Sequence, residues 1–525
     1  MDLRPNIIII NPDQMRADSL HHLGNEAAYT PNMDKMTQDG VSFSQAFCQN
    51  PVCTPSRCSF LTGLYPHVNG HRTMSNLLKQ HESNLFREAK ESGYYVWMNA
   101  RGDSIAGQDD HLHEISVDEV CYDMGDDMGT DEGRGEKESD RYFSFYRGIV
   151  TPKSGTIANN GDFAYTKSLC KRIINRPSDR PLFAFLGLFD PHPPYRVERE
   201  FLDKIDAEKI KPRIRNIDPE DNKPKMEQGL MKGLRVFGWD EERIRQLRAV
   251  YLAQCARVDH LVGMIIDTLK DEGIYDNTAI FILSDHGDYT GDYGIVEKAQ
   301  NCFPDCLTNV PLLIKPPAGV DIEPGINDNL VELVDFYATV LDLGEITADH
   351  DHFGRSLIPT MQDHTRKVRE FVTCEGGRRL AEPQAMEQNN AGSFAGDEYS
   401  VRKSLQARED GTHTKATMIR DEKYKYIRRL YEKDEFYDLA IGESVNRIDD
   451  PAYHDEIVKK QMQMLTWYQE TCDIVPQKED QRMQNEFYLR RIAMRDPERA
   501  DLIREKMQHS GKNFFETMAE MNKQS

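Results

Sequence analysis

Four stretches of this chain repeat one pattern: a continuous apolar run that ends at once in polar residues able to do chemistry. The run at 7–10 leads into Asn11-Pro12-Asp13-Gln14, and the run at 95–98 into Asn99-Ala100-Arg101-Gly102-Asp103. The run at 182–188 leads into Asp190-Pro191-His192, and that at 279–283 into Ser284-Asp285-His286-Gly287. Runs that are apolar at every position belong to strands covered on both faces. Helical stretches lie between them. The clearest starts near Asp240, carries Ile244, Leu247, Tyr251, Val258, Leu261, Ile265 and Leu269 at mostly three- and four-residue steps, and ends at Gly273. Strands alternating with helices predict an α/β fold, a large and mostly parallel mixed sheet sandwiched by helices. In such sheets ligands bind beyond the carboxyl ends of the strands, where all four polar clusters fall.

The pattern changes after about residue 365. Short strands at 370–374, 416–419 and 424–427, followed by Glu435-Phe436-Tyr437-Asp438-Leu439, predict a small antiparallel sheet with a helix near 453–468. The expected organisation is a main α/β domain over 1–365, a smaller α+β domain over 366–475 and a charged helical extension over 476–525. That extension carries Phe487, Leu489, Ile492, Phe514 and Phe515, and packing back, homo-oligomerisation and fraying are all open to it.

Sixty-six basic against 88 acidic residues give a net charge of −22. This excludes a nucleic-acid partner, which needs a basic footprint, and leaves any anionic ligand to a local basic pocket. With 38 % hydrophobic and 29 % charged residues the composition is that of a soluble globular chain, and its longest apolar run, 182–189, is too short to span a bilayer. The run at 7–10 reads as a first strand with no leader ahead of it, so a cytoplasmic location without membrane attachment is expected. Ten cysteines are too few for a disulfide framework, and their spacing offers no structural zinc site.

The most specific motif is Pro51-Val52-Cys53-Thr54-Pro55-Ser56-Arg57-Cys58-Ser59-Phe60-Leu61-Thr62-Gly63. Pro55 suits the first turn of a helix, which puts Cys53 at the N-terminus, where free amides favour an anion, with Arg57 one turn further on. A buried structural cysteine and a thiolate nucleophile are two readings of Cys53. The third comes from the motif as a whole, since Cys-Thr-Pro-Ser-Arg followed by Leu61-Thr62-Gly63 and Tyr65-Pro66 resembles the sulfatase signature within the alkaline phosphatase superfamily. That resemblance implies an alkaline-phosphatase-like fold and a cysteine oxidised after translation to formylglycine, an aldehyde active as its hydrate.

The resemblance implies roles elsewhere. Asp13 and Gln14 fall at the first metal-ligand pair of sulfatases and Asp285 and His286 at the second, with residue 53 also facing the metal. Lys298, in Gly294-Ile295-Val296-Glu297-Lys298, falls at the sulfate-binding lysine, and His192 at a histidine near the leaving-group oxygen. In one departure, Ala100-Arg101-Gly102-Asp103 stands where many sulfatases carry Gly-Lys-x-His. Arg101 can replace the lysine's charge, whereas Asp103 cannot do everything a histidine does. His71 is a weaker candidate, either for the organic part of a substrate or for capping a turn. Oxygen-rich ligands suit Ca²⁺, with Mg²⁺ or Mn²⁺ as substitutes, and the cation with Arg57, Arg101 and Lys298 reverses the local negative sign.

The expected activity is sulfate release from a small sulfated organic molecule, a sulfated sugar or an aryl sulfate, with a formylglycine-generating maturation enzyme as partner. Two rivals stand beside it. Asp13-Gln14-Met15-Arg16-Ala17-Asp18 resembles the opening of phosphonate monoester hydrolases, which implies phosphonate monoester or phosphodiester hydrolysis on the same scaffold. Asp103 in place of histidine motivates a sulfatase-like protein that binds an anion without turning it over.

Overall fold

The computed structural model describes residues 4–105, 109–216, 223–387, 397–475 and 484–524. In chain order its first strands are β1 (Asn6–Asp13), β2 (Val41–Phe47), β3 (Tyr95–Asn99), β4 (Glu119–Cys121), β5 (Tyr146–Val150), β6 (Leu182–Pro191) and β7 (Tyr195–Glu198). After these come β8 (Thr278–Leu283), β9 (Asn309–Val310), β10 (Leu312–Lys315), β11 (Gly325–Glu332), β12 (Val372–Gly376), β13 (Ala416–Arg420), β14 (Tyr424–Arg429) and β15 (Glu435–Asp438).

The large sheet runs β11-β2-β10-β8-β1-β6-β3-β4, with β9 beside β2. β1 pairs in parallel with β6 and β8, whereas β10 runs antiparallel to both β8 and β2. The expected mixed, mostly parallel sheet is therefore present, with β10 as the reversed member of the row. Its two faces explain the unbroken apolar runs. Ile8 and Ile10 join one core with Ala184, Leu186, Ile280 and Ile282, while Ile7 and Ile9 join the other with Phe183, Phe185 and Phe281. The first core is closed by helices Gly161–Ile174 and Glu241–Asp271, through residues such as Leu169, Leu247 and Tyr251. The second is closed by helices Cys53–Thr62, Leu85–Glu91 and Leu333–Gly344, through Phe60, Phe86 and Phe336. Helix Glu241–Asp271 is long and apolar enough to cross a membrane by composition, but 89 % of its apolar window is buried inside the fold. It is a core helix.

The small sheet is antiparallel, in the order β12-β13-β14-β15, and helix His454–Thr471 packs on it through Ile457 and Met464. Gln49 and Asn50 bind it to the loop ahead of Cys53: the Glu375 amide donates to the Gln49 carbonyl at 2.9 Å, and Asn50 Nδ2 to the Glu375 carbonyl at 2.7 Å. Met1–Ile474 form one compact unit, which contains these two sheets and a two-stranded parallel one, β5-β7, and Val475–Ser525 form a second unit. The second unit holds helices Asn485–Ala493, Pro497–Ser510 and Phe514–Gln524 around Leu489, Ile503 and Phe514. Residues 476–483 of the expected extension lie outside the described residues.

Candidate active site

Local chain chemistry explains how each strand end presents its side chain. Asp13 is the last residue of β1, and Gln14 follows in the left-handed region at φ 70°, which turns the chain sharply off the sheet. Asp285 and His286 follow β8, and Arg101 follows β3. The helix Cys53–Thr62 begins with Cys53 itself, has Pro55 in its first turn and ends on Gly63 at φ 67°. Every residue of this helix is buried, so its N-terminal amides face the protein interior.

One ligand atom each from Asp13, Cys53, Asp285 and His286 lie within 4.8 Å of one another. The Cys53 Sγ is 3.5 Å from Asp13 Oδ1 and 3.3 Å from His286 Nε2. Arg57 ties the two carboxylates together, donating Nε to Asp285 Oδ2 at 2.8 Å and Nη2 to Asp13 Oδ2 at 3.1 Å. Arg101 adds its Nη2 to the same Asp13 Oδ2 at 2.6 Å and leaves a buried Nε–H without a partner. The Oδ1 atoms of Asp13 and Asp285 thus remain on the side of His286 Nε2, at 3.6 and 3.8 Å. His286 Nδ1 lies 2.9 Å from the Gly287 carbonyl, and donating its proton there leaves the Nε2 lone pair for the cluster. Two carboxylate oxygens and an aimed imidazole nitrogen are a donor set that fits a divalent cation.

The electrostatics follow from burial and sign. Burial raises the Asp13 carboxyl, but the guanidiniums of Arg101 and Arg57 on its Oδ2 more than reverse it and hold it far below the usual range. Burial and the Asp13 carboxylate push the Cys53 thiol well up, which disfavours the thiolate reading. Burial and the Lys298 ammonium push His192 well below its ordinary value, so this ring is neutral. Its Nδ1 lies 2.6 Å from the Pro193 carbonyl, and its Nε2 then accepts from Lys298 Nζ at 3.0 Å. Burial lowers Lys298, and the Glu297 carboxylate beside it acts in the opposite direction, so the ammonium keeps its proton. Gln14 Oε1 accepts from Lys298 at 2.6 Å, so the carbonyl expected on a metal serves the lysine in this arrangement; its backbone N–H donates to Asp285 Oδ1 at 3.0 Å.

Two candidates sit apart from this group. Asp103 lies at φ 45° with its carboxylate 3.6 Å from Arg101 Nη1, on the wall of an adjoining cavity of about 450 Å³. Arg101, His192, Phe189, Met124 and Tyr165 line the same cavity, and the Arg101 guanidinium stacks 4.0 Å over the Phe189 ring. His71 is not brought to the group. Its ring nitrogens are taken by the Asn76 carbonyl at 2.8 Å and the Glu82 carboxylate at 3.1 Å, so the turn-fixing reading replaces the substrate-contact one.

Sequence reasoning passed over Asp288, although it sits one residue beyond Asp285-His286-Gly287. Its carboxylate accepts from Gln14 Nε2 at 2.5 Å and from the Tyr195 hydroxyl at 2.8 Å, and burial lifts its pKa to about 7. The repeated pattern of polar residues at strand ends was the signal that could have found it.

A large mixed sheet with acids at its strand ends, a buried cation-rich site and a helix N-terminus at Cys53 defines a hydrolase of the alkaline-phosphatase-like fold. The sulfatase family model matches residues 5–346, and the chain belongs to that family. It is 24 % identical to a choline-sulfatase of Rhizobium meliloti over 451 residues, covering 83 % of this chain and 80 % of that one. It is 26 % identical to the multifunctional alkaline phosphatase superfamily protein PehA of Trinickia caryophylli, covering 88 % and 95 %. The phosphonate monoester hydrolase of Agrobacterium radiobacter superimposes with a TM-score of 0.68 at 22 % identity over 89 % and 96 % of the two chains, a likeness of fold.

Proposed function

We propose that this sulfatase-family hydrolase is a metal-dependent sulfuric ester hydrolase that releases inorganic sulfate from a small sulfated sugar or aryl sulfate, with formylglycine at position 53. The observation that carries this reading is the meeting of Asp13, Asp285 and His286 with Cys53 at a helix N-terminus, beside three cationic side chains. Asp13, Asp285 and His286 would hold a divalent cation, Ca²⁺ by preference, whose chemistry is to polarise a sulfate oxygen. An aldehyde hydrate at 53 carries two hydroxyls on one carbon, which neither serine nor cysteine offers.

The chain's own residues do the rest. Arg57 holds one oxygen each of Asp13 and Asp285, which leaves their Oδ1 atoms toward His286 Nε2 for the cation. Arg101 and Lys298 face the anion from two sides. His192 and Lys298 are the two groups placed to protonate the leaving alcohol. Because Lys298 carries the proton and His192 Nε2 accepts from it, we assign the donated proton to Lys298 Nζ and its orientation to His192. The cavity beside Arg101 takes the organic group. The reading includes a maturation enzyme acting on Cys53 and a cytoplasmic setting.

The test is the mass of the peptide holding Cys53, read with sulfate release by the parent and by Cys53→Ser. Fully active protein with an unmodified thiol, or an undiminished serine variant, refutes the mechanism. Phosphonate monoester hydrolysis is the second reading, favoured by Asp13-Gln14-Met15-Arg16-Ala17-Asp18; relative turnover of an aryl sulfate, a phosphodiester and a phosphonate monoester separates the two. Matured, metal-loaded protein that bound sulfate esters and left them intact would support the non-catalytic reading.

A further inference from the structure

Lys298 stands in a line of alternating charges that reaches it from a distant part of the chain. Its Nζ is 2.8 Å from Glu297 Oε1, an ion pair without hydrogen-bond alignment. Glu297 sits at φ 67°, a left-handed conformation that a glutamate adopts at some cost. Its other oxygen, Oε2, accepts from Arg402 Nη1 at 2.5 Å. Arg402 Nη2 donates to Glu387 Oε2 at 2.9 Å, and Glu387 Oε1 accepts from Gln406 Nε2 at 3.0 Å. Glu297, Arg402 and Glu387 are all buried, and the Arg402 guanidinium lies 4.9 Å over the Tyr399 ring. Arg402 and Gln406 belong to helix Ser400–Gln406, between β12 and β13 of the small sheet.

A buried carboxylate this close to Lys298 would, with no other partner, cancel the ammonium that a substrate anion is to meet. It would also repel that anion at short range in a medium of low dielectric. Resting on the sulfatase reading above, we propose that Arg402 is a positioning residue that covers the Glu297 carboxylate and so leaves the charge of Lys298 available to the sulfate group. Arg402 touches neither substrate nor the reacting atoms in this role; it acts through Glu297. Glu387 completes the line and prevents Arg402 from being a buried charge held on one side only.

The test uses full-length, matured, metal-loaded protein with inorganic sulfate as the probe in calorimetric titration, together with KM and kcat for an aryl sulfate. Arg402→Met is expected to weaken sulfate binding and raise KM by about tenfold, the effect of one uncovered charge at a few ångströms' remove from the anion. KM is expected to change more than kcat, and Arg402→Lys to keep most of the affinity. Combining Arg402→Met with Glu297→Gln is expected to restore sulfate affinity to near that of the parent, because the carboxylate that needed cover has gone. A merely structural arginine would not be rescued in this way. Parent-like sulfate affinity in Arg402→Met, or a double variant as weak as that single one, overturns the proposal. Should Arg402→Met fail to fold, Glu297→Gln alone decides, with affinity equal to or above the parent expected and weaker binding overturning the idea. A parent that binds no sulfate also overturns it. A parent that binds sulfate but hydrolyses no sulfate ester refutes the sulfatase reading and leaves this inference standing.

Discussion

Arg57→Met perturbs the centre of the site with little change in volume. The Arg57 guanidinium is wholly buried and donates one hydrogen bond to each of Asp285 and Asp13. Charge-assisted bonds of this kind contribute about 1.5–3 kcal/mol each. Taking away one partner of a buried ion pair costs about 3–5 kcal/mol, because the carboxylates left behind are uncompensated. The unit Met1–Ile474 has an unfolding entropy of roughly 1 kcal/mol per degree at about 2.1 cal/mol/K per residue, so the expected fall in Tm is about 3–5 °C. A divalent cation bound by the same two carboxylates would take over part of the lost neutralisation. Calcium is therefore expected to raise the Tm of the variant more than that of the parent. Scanning calorimetry on chelator-treated protein, with and without added Ca²⁺, measures both quantities. Equal calcium shifts in the two proteins, or a loss below about 1 kcal/mol, would show that Arg57 does not hold these carboxylates in the way described.

Chelation is expected to abolish sulfate release and added Ca²⁺ to restore it, read as sulfate produced per hour from an aryl sulfate. Gly187→Ala is expected to cut turnover about fivefold or more, the effect of an overpacking cost of about 1–3 kcal/mol falling on the site; its Cβ would meet the Arg101 carbonyl at 2.1 Å, the oxygen that accepts from Arg57 Nη1. Turnover and circular dichroism together check that the fold survives. Asp259 accepts the amides of Asn32 and Met33, and burial raises its pKa from an ordinary 3.8 to about 6. The native state then binds more protons than the unfolded chain between those values, so this group's contribution to stability falls as pH rises through about 4–6 and is level above. The fall amounts to about 3 kcal/mol. Of that fall about 2 kcal/mol lies between pH 4.5 and 7, and Asp259→Asn is expected to remove it from the difference between denaturation curves taken at those two values.

What was legible in the amino acids depended on how many neighbours each residue must satisfy. β1, β6 and β8 lie inside the large sheet, so their central runs are unbroken apolar residues and stand out; helix Glu241–Asp271 is marked by its spacing, by Asp240 as N-cap and by Gly273. β2 and β11 escaped notice because the end of the sheet is only partly covered, and Ser44, Gln45, Asp328 and Asn329 interrupt their apolar pattern. Within the site, Asp13, Cys53, Arg57, Arg101, His192, Asp285, His286 and Lys298 could be picked out because each follows a strand or sits in a long motif. Glu297 and Arg402 could not, since 105 positions separate them and each alone reads as a solvated surface charge. His71 misled because a histidine near a reactive motif looks functional, whereas Asn76 and Glu82, five and eleven residues further on, occupy its ring.

The bonds from Gln49 and Asn50 to β12 bear on where this chain can be shortened. The sulfatase family model matches only as far as residue 346, yet the Gln49 carbonyl and the Asn50 side chain, four and three residues ahead of Cys53, are tied to residue 375. A gene trimmed to the matched region would leave an amide side chain and a carbonyl stranded beside the reactive position. The smallest piece worth expressing therefore extends through the small antiparallel sheet, and the edge of the family model's match is not the edge of the working machine.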